Sequence, residues 1–144
     1  MRIIILFISF LCLTAVASAK TYTVEMQRMT FSPEVLMINS GDTVLWQPTT
    51  LGHNVEMIAS PNDTSFRSKL SKPVSLTFDK PGLYYYVCGP HQFMGMIGLI
   101  VVDNNFSNRD SVLARAHKRN RPKLTELLKQ AQKSTSSVTQ ATTN

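Results

Sequence analysis

Cysteine, histidine and tryptophan are scarce in this chain: two, three and one in 144 residues. One of the cysteines, Cys12, lies close to the N-terminus, and Cys88 is the other. No glycine-rich phosphate loop and no G-x-S-x-G is present, which removes two common catalytic frameworks. Nor is there an internal repeat, or an apolar run of the ~20 residues that a membrane-spanning helix needs. The longest run, Ile3 to Val16, is broken by Ser9, Cys12 and Thr14. It follows Arg2 and precedes Ala17-Ser18-Ala19, an A-x-A site. That order predicts an export signal over residues 1–19, cleaved after Ala19, with no stable membrane anchoring. Leu11 before Cys12 is not the small residue that a lipoprotein signal carries. After cleavage Cys88 has no internal disulfide partner, so it is an idle buried thiol or one committed to a ligand.

Charge is unevenly spread. Residues 20–104 hold six basic and seven acidic side chains, whereas residues 105–144 hold eight basic and two acidic. No aromatic residues interleave with the basic ones, and an exported chain seldom meets nucleic acid, so a solvated helical face is expected and no nucleic-acid partner. Thr21–Met26, Thr43–Gln47, Val74–Phe78, Leu83–Cys88 and Ile97–Val102 read as strands. Asn39-Ser40-Gly41-Asp42, Ser60-Pro61-Asn62-Asp63 and Pro81-Gly82 read as turns between them. Short strands with such spacing predict an all-β sandwich over residues 20–104. After Asp103 the pattern changes. Ser107 and Asp110 have capping-box spacing, with Val112, Leu113 and Ala116 facing inward. Beyond Arg121-Pro122, residues Leu124, Leu127, Leu128 and Ala131 form one stripe at i, i+3, i+4 and i+7. Two short helices over residues 105–133 are therefore expected to pack on the sandwich as part of the same domain. Residues 134–144, rich in Ser and Thr, read as an unstructured tail.

The chemistry is concentrated in residues 88–96, CGPHQFMGM. Cys88, His91 and Met96 are soft or borderline donors, a set that selects copper over magnesium, calcium or manganese. A type 1 copper site needs two His, one Cys and a distant Met. The missing histidine has two candidates outside the leader and the loop. His117 lies among Arg115, Lys118 and Arg119 and reads as merely solvated. His53 sits in a loop after a strand, between Gly52 and Asn54, and is the natural fourth ligand. Taken singly, each residue has a bland reading: an inert thiol, a loop histidine, packing methionines.

Together, Gly52-His53-Asn54-Val55-Glu56 and the 88–96 loop resemble the cupredoxins, the type 1 blue copper family, and within them the pseudoazurins. Gly41-Asp42-Thr43-Val44, Pro81-Gly82 leading into the cysteine strand, and the paired C-terminal helices fit the same resemblance, which covers roughly residues 21–133. It implies a cupredoxin-like Greek-key β-sandwich with two short C-terminal α-helices. It implies one copper held by His53, Cys88, His91 and Met96, and electron transport in the periplasm as a monomer. Asn54 would tie the two ligand loops, its backbone amide donating to the Cys88 sulfur, and Pro90 would stiffen the loop. Met94 and Pro48 would belong to an apolar patch around the His91 edge, where redox proteins dock, among them a reductase such as nitrite reductase, or a cytochrome. No enzymatic activity is expected, because four protein ligands leave no open position for substrate. Copper storage or delivery is the alternative, suggested by Met26, Met29, Met37, Met57, Met94 and Met96. Two departures bear on the partner. Leu51 and Val87 stand where these relatives carry lysines, and the segment between Met26 and Met29 is shorter.

Overall fold

Alternation of apolar side chains along the strands builds two sheets. The structure, a computed structural model, describes residues 18–141. The expected signal falls almost wholly outside the described residues. Strands β1 (Thr21–Gln27), β2 (Thr30–Ser32), β4 (Asp42–Pro48) and β7 (Val74–Phe78) form one sheet in the order β2-β1-β4-β7. Strands β3 (Val35–Ile38), β5 (Glu56–Ala59), β6 (Phe66–Arg67), β8 (Gly82–Val87) and β9 (Ile97–Val102) form the other, in the order β3-β9-β8-β5-β6. β1 pairs with β4, and β3 with β9, in parallel; the remaining pairs are antiparallel.

β8 and β9 are buried along their entire length. Each has two covered faces, which is why both read as continuous apolar runs. Tyr84, Tyr86 and Cys88 point into the core between the sheets, with Trp46, Phe31 and Met96. Leu83, Tyr85 and Val87 point the other way, beneath helices α1 (Arg109–Arg115) and α2 (Arg121–Ala141). Leu124, Leu127, Leu128 and Ala131 of α2 lie in this second core, as the stripe predicts. Burying each such leucine contributes about 1.5–3 kcal/mol. Gly98 is required opposite Tyr86, because a Cβ there would fall 2.3 Å from the tyrosine ring.

Two expectations are corrected. Ser107 is not the cap of α1: Asn108 occupies that position, and its side chain turns to strand β8 instead. Its Oδ1 accepts from Leu83 N and its Nδ2 donates to Leu83 O, both at 2.9 Å. The second helix is not short. It runs 21 residues, to Ala141, and so enters the stretch 134–144 that reads as a tail. Its first two turns are anchored by buried leucines, and no proline or glycine interrupts the chain beyond Pro122. The short segment after Met26 is a two-residue hairpin turn, with Arg28 and Met29 both at positive φ, 45° and 61°.

Asp42 ties the chain entry to the sandwich. Its carboxylate accepts backbone N–H groups from Lys20 and Asn39, each at 2.8 Å. These two bonds hold its pKa below the ordinary value of 3.8, against the opposing effect of burial. An unfolded chain therefore takes up this proton at a higher pH than the folded one. The stabilisation is fully present above pH 3.8 and is lost as pH falls below it. Asp42→Asn should lower the melting temperature by a few degrees at pH 6, and the gap should close near pH 2. Parallel thermal melts across that range test this.

Candidate metal centre

The four expected donors come from two segments, the loop that holds His53 and the stretch 88–96. His53 lies in the loop between β4 and β5, Cys88 directly follows β8, and His91 lies in a short 3-10 helix, Gly89–Met94. Met96 follows that helix, immediately before β9. Strand pairing of β8 with β9 closes the loop, and Cys88 N donates to Met96 O at 3.0 Å. His91 N donates to Cys88 O at 3.0 Å, and Met96 N to His91 O at 3.2 Å. Pro90 sits in the first turn of the 3-10 helix, where its fixed φ fits and no N–H is needed.

His53, Cys88 and His91 converge, with their ligand atoms within 4.8 Å of one another. Cys88 Sγ is 3.8 Å from His53 Nδ1 and 3.4 Å from His91 Nδ1. Both rings thus present the same nitrogen to the sulfur. Thr50 Oγ1 lies 3.0 Å from His53 Nε2 and holds the far side of that ring. A proton on Nε2 leaves Nδ1 with a free lone pair, the form a metal requires. Ser71 fixes the loop backbone: its Oγ accepts from Gly52 N and its N donates to His53 O, both at 2.8 Å. Met96 is fully buried in the same core as Cys88.

The electrostatics also suit a metal. Burial holds the His53 pKa below its ordinary value, helped by the nearby His91, which favours the neutral ring. Burial pushes the Cys88 thiol up, while the backbone N–H groups of Asn54 and His91, aimed at the sulfur, act in the opposite direction. A cation would supply the missing stabilisation of a thiolate. One thiolate, two imidazoles and a buried thioether match copper by softness, so the residues fit that ion.

Asn54 Oδ1 accepts from Gly89 N at 2.9 Å, a contact between the His53 loop and the start of the 88–96 loop. Its Nδ2 donates to Glu56 Oε1 at 3.0 Å, and Glu56 pairs with Arg67 Nε at 3.1 Å. A Cβ at position 89 would meet Glu56 Oε1 at 2.0 Å, so any larger residue there would displace the Glu56 carboxylate. Sequence reasoning missed Glu56, Thr50 and Ser71. Glu56 had a signal: it lies two residues after Asn54, hence on the same side of an extended chain. Thr50 and Ser71 had none. His117 is exposed, as expected, but it also meets Phe93 of the ligand loop edge-on, with centroids 5.0 Å apart. Met94 is 64% exposed, and Pro48 is half-buried at the end of β4.

Comparison with known proteins agrees with this geometry. Residues 18–103 match the copper binding proteins of the plastocyanin/azurin family. A pseudoazurin of Paracoccus pantotrophus is 37% identical over 112 residues, covering 72% of this chain and 77% of that one. A pseudoazurin of Methylorubrum extorquens is 33% identical over 92 residues, 62% of each chain. The crystal structure of pseudoazurin from Methylobacterium extorquens AM1 superposes with a TM-score of 0.70 at 29% identity, covering 76% of this chain and 98% of that one. The chain belongs to the plastocyanin/azurin family of copper-binding proteins, as a pseudoazurin-like blue copper protein with a His-Cys-His-Met type 1 site at His53, Cys88, His91 and Met96.

Proposed function

We propose that the chain is a periplasmic single-electron carrier. The observation that carries this reading is the convergence of both histidine Nδ1 atoms on the buried Cys88 sulfur. Copper bound there supplies one-electron chemistry by passing between Cu(II) and Cu(I). His53, Cys88, His91 and Met96 would hold it. The strands around Cys88 and Met96 bury both donors, which would keep water from them and hold them in place. His91, half-buried, offers its ring edge as the route to a partner.

Docking is supported by the surface. Among the described residues, the exposed large apolar side chains are Met29, Leu51, Leu70, Phe93 and Met94. Four of them, all but Met29, lie on loops that carry or fix His53 and His91. An apolar patch of this kind suits brief contacts with redox proteins. Leu51, 84% exposed, places apolar surface where relatives carry a lysine, which weakens the case for a strongly acidic reductase as partner. Export is supported by the leader sequence. Cleavage after Ala19 would turn Lys20 N, now 2.8 Å from Asp42 Oδ1, into an α-ammonium beside a carboxylate.

The test is visible absorption of the protein from Lys20 onward, titrated with Cu(II). An intense blue band at one copper per chain, bleached by ascorbate and restored by oxidation, is the expected result. A colourless protein that still holds copper would overturn electron transfer and favour storage or delivery.

A further inference from the structure

The helical extension touches the ligand loop through a second side chain besides His117. Lys123 Nζ donates to Gly95 O at 2.7 Å and to Glu34 Oε1 at 2.5 Å. We propose that Lys123 is a positioning residue for the copper site, holding the Gly95 peptide and thereby Met96 against Cys88. This rests on the copper reading above.

Gly95 is the hinge of the loop. It has φ 87°, ends the 3-10 helix, and separates His91 from Met96. Glycine resists rotation least of all residues, so the peptide that leads into Met96 is the weak point of the donor set. Its carbonyl accepts from Ile97 N at 3.0 Å and from Lys123. The lysine stem also lies over it, since a Cβ at Gly95 would sit 3.7 Å from Lys123 Cδ. Glu34, between β2 and β3, holds the ammonium from its other side. Glu34 is itself fixed: its Oε1 accepts from Thr30 Oγ1 at 2.9 Å and its carbonyl from Leu99 N at 2.8 Å. One ammonium thus joins α2, the ligand loop and the β2–β3 connection.

Helix stability does not account for this lysine. Lys123 lies in the first turn of α2, where a cation opposes the helix dipole, and no acidic residue shares that turn. The ion pair with Glu34 is about one-third exposed on both sides and by itself contributes little. The charge-assisted bond to a peptide carbonyl is the stronger contact. Buried Leu124 next to it fixes the rotation of the helix, so the reach of Lys123 is set by packing.

Lys123→Met, Lys123→Arg and Glu34→Leu test the proposal. In the metal-free protein, amide exchange at Cys88 and Met96 should quicken about tenfold in Lys123→Met, with β1 and β4 unchanged and the arginine variant restored. In the copper protein, Lys123→Met and Glu34→Leu should move the Cu(II)/Cu(I) ratio at fixed potential in the same direction, by up to about tenfold or ~59 mV. The two variants change net charge in opposite senses, so a purely electrostatic effect would give shifts of opposite sign and overturn positioning. Unchanged exchange at Cys88 and Met96, or faster exchange in every strand, would also overturn it. Wild-type protein that lacks the blue band would sink the copper reading, while the exchange result would still decide whether Lys123 braces the loop.

Discussion

Cys88→Ala should abolish the intense visible band of the Cu(II) protein and lower copper affinity by more than ~100-fold, beyond the loss expected from changing a residue behind the ligands. The thiolate is the donor that makes the site coloured and soft, and no other cysteine exists in residues 20–144. Its sulfur is the point on which both histidine nitrogens converge. Removing one buried sulfur should cost the metal-free fold only about 1 kcal/mol, so the variant remains folded and interpretable. Backbone circular dichroism and a urea melt verify that. Persistence of the band in folded Cys88→Ala would mean that the colour arises elsewhere and would end the thiolate assignment. Serine is the less informative replacement, since it would bury a hydroxyl and retain an oxygen donor at the same place.

Trp46→Ala should destabilise the metal-free protein by about 3–5 kcal/mol, a large part of the ~5–15 kcal/mol available to a domain. Trp46 is fully buried on β4 and lies edge-on to Tyr86, with centroids 5.3 Å apart, and beside Phe78 at 6.1 Å. Tyr86 in turn meets Phe31 at 4.7 Å, so the indole supports an aromatic layer between the sheets. Its buried Nε1 makes no well-formed hydrogen bond, although it lies close enough to the buried Tyr86 hydroxyl to favour the phenolate weakly. The loss therefore comes mainly from packing and the cavity. Trp46→Phe should accordingly cost less than about 1.5 kcal/mol. Urea unfolding of both variants measures the difference. A Trp46→Ala loss below about 1 kcal/mol would show that the two sheets close over the gap, and that the aromatic layer does not fix their spacing. Tyr86 is two residues from Cys88 on the same face of the sheet, so the same variant should also broaden the blue band.

The strands and turns were legible because their residues act locally. Gly41 and Gly82 take positive φ where Asn39–Asp42 and Pro81-Gly82 predict turns, and Asp42 N closes the first of these onto Asn39 O at 3.1 Å. The leucine stripe of α2 was legible for the same reason, since its period is a property of the helix itself. The cap of α1 was not. Ser107 fits a local capping rule, yet Asn108 occupies the position because its amide finds both backbone groups of Leu83, 25 residues away. The extent of α2 was equally hidden: its serine- and threonine-rich half has weak helical preference, and its anchored first half decides whether it continues.

For the site, the sequence by itself determined the donor chemistry. Cys-x2-His with a nearby Met on a β-rich chain, together with a second histidine flanked by Gly52 and Asn54, leaves few metals and one family. Donor softness and spacing are properties of residue type and order, so no coordinates are needed. Only the tertiary structure decided what holds the donors. Thr50 and Ser71 fix the His53 loop, Glu56 fills the space beside Gly89, and Lys123 reaches back 28 residues to the Gly95 carbonyl. Such contacts join segments distant in sequence, through hydroxyls and charges that look like ordinary surface residues. They exist only once the two sheets and the helix have packed, because packing alone sets which backbone group each side chain can reach.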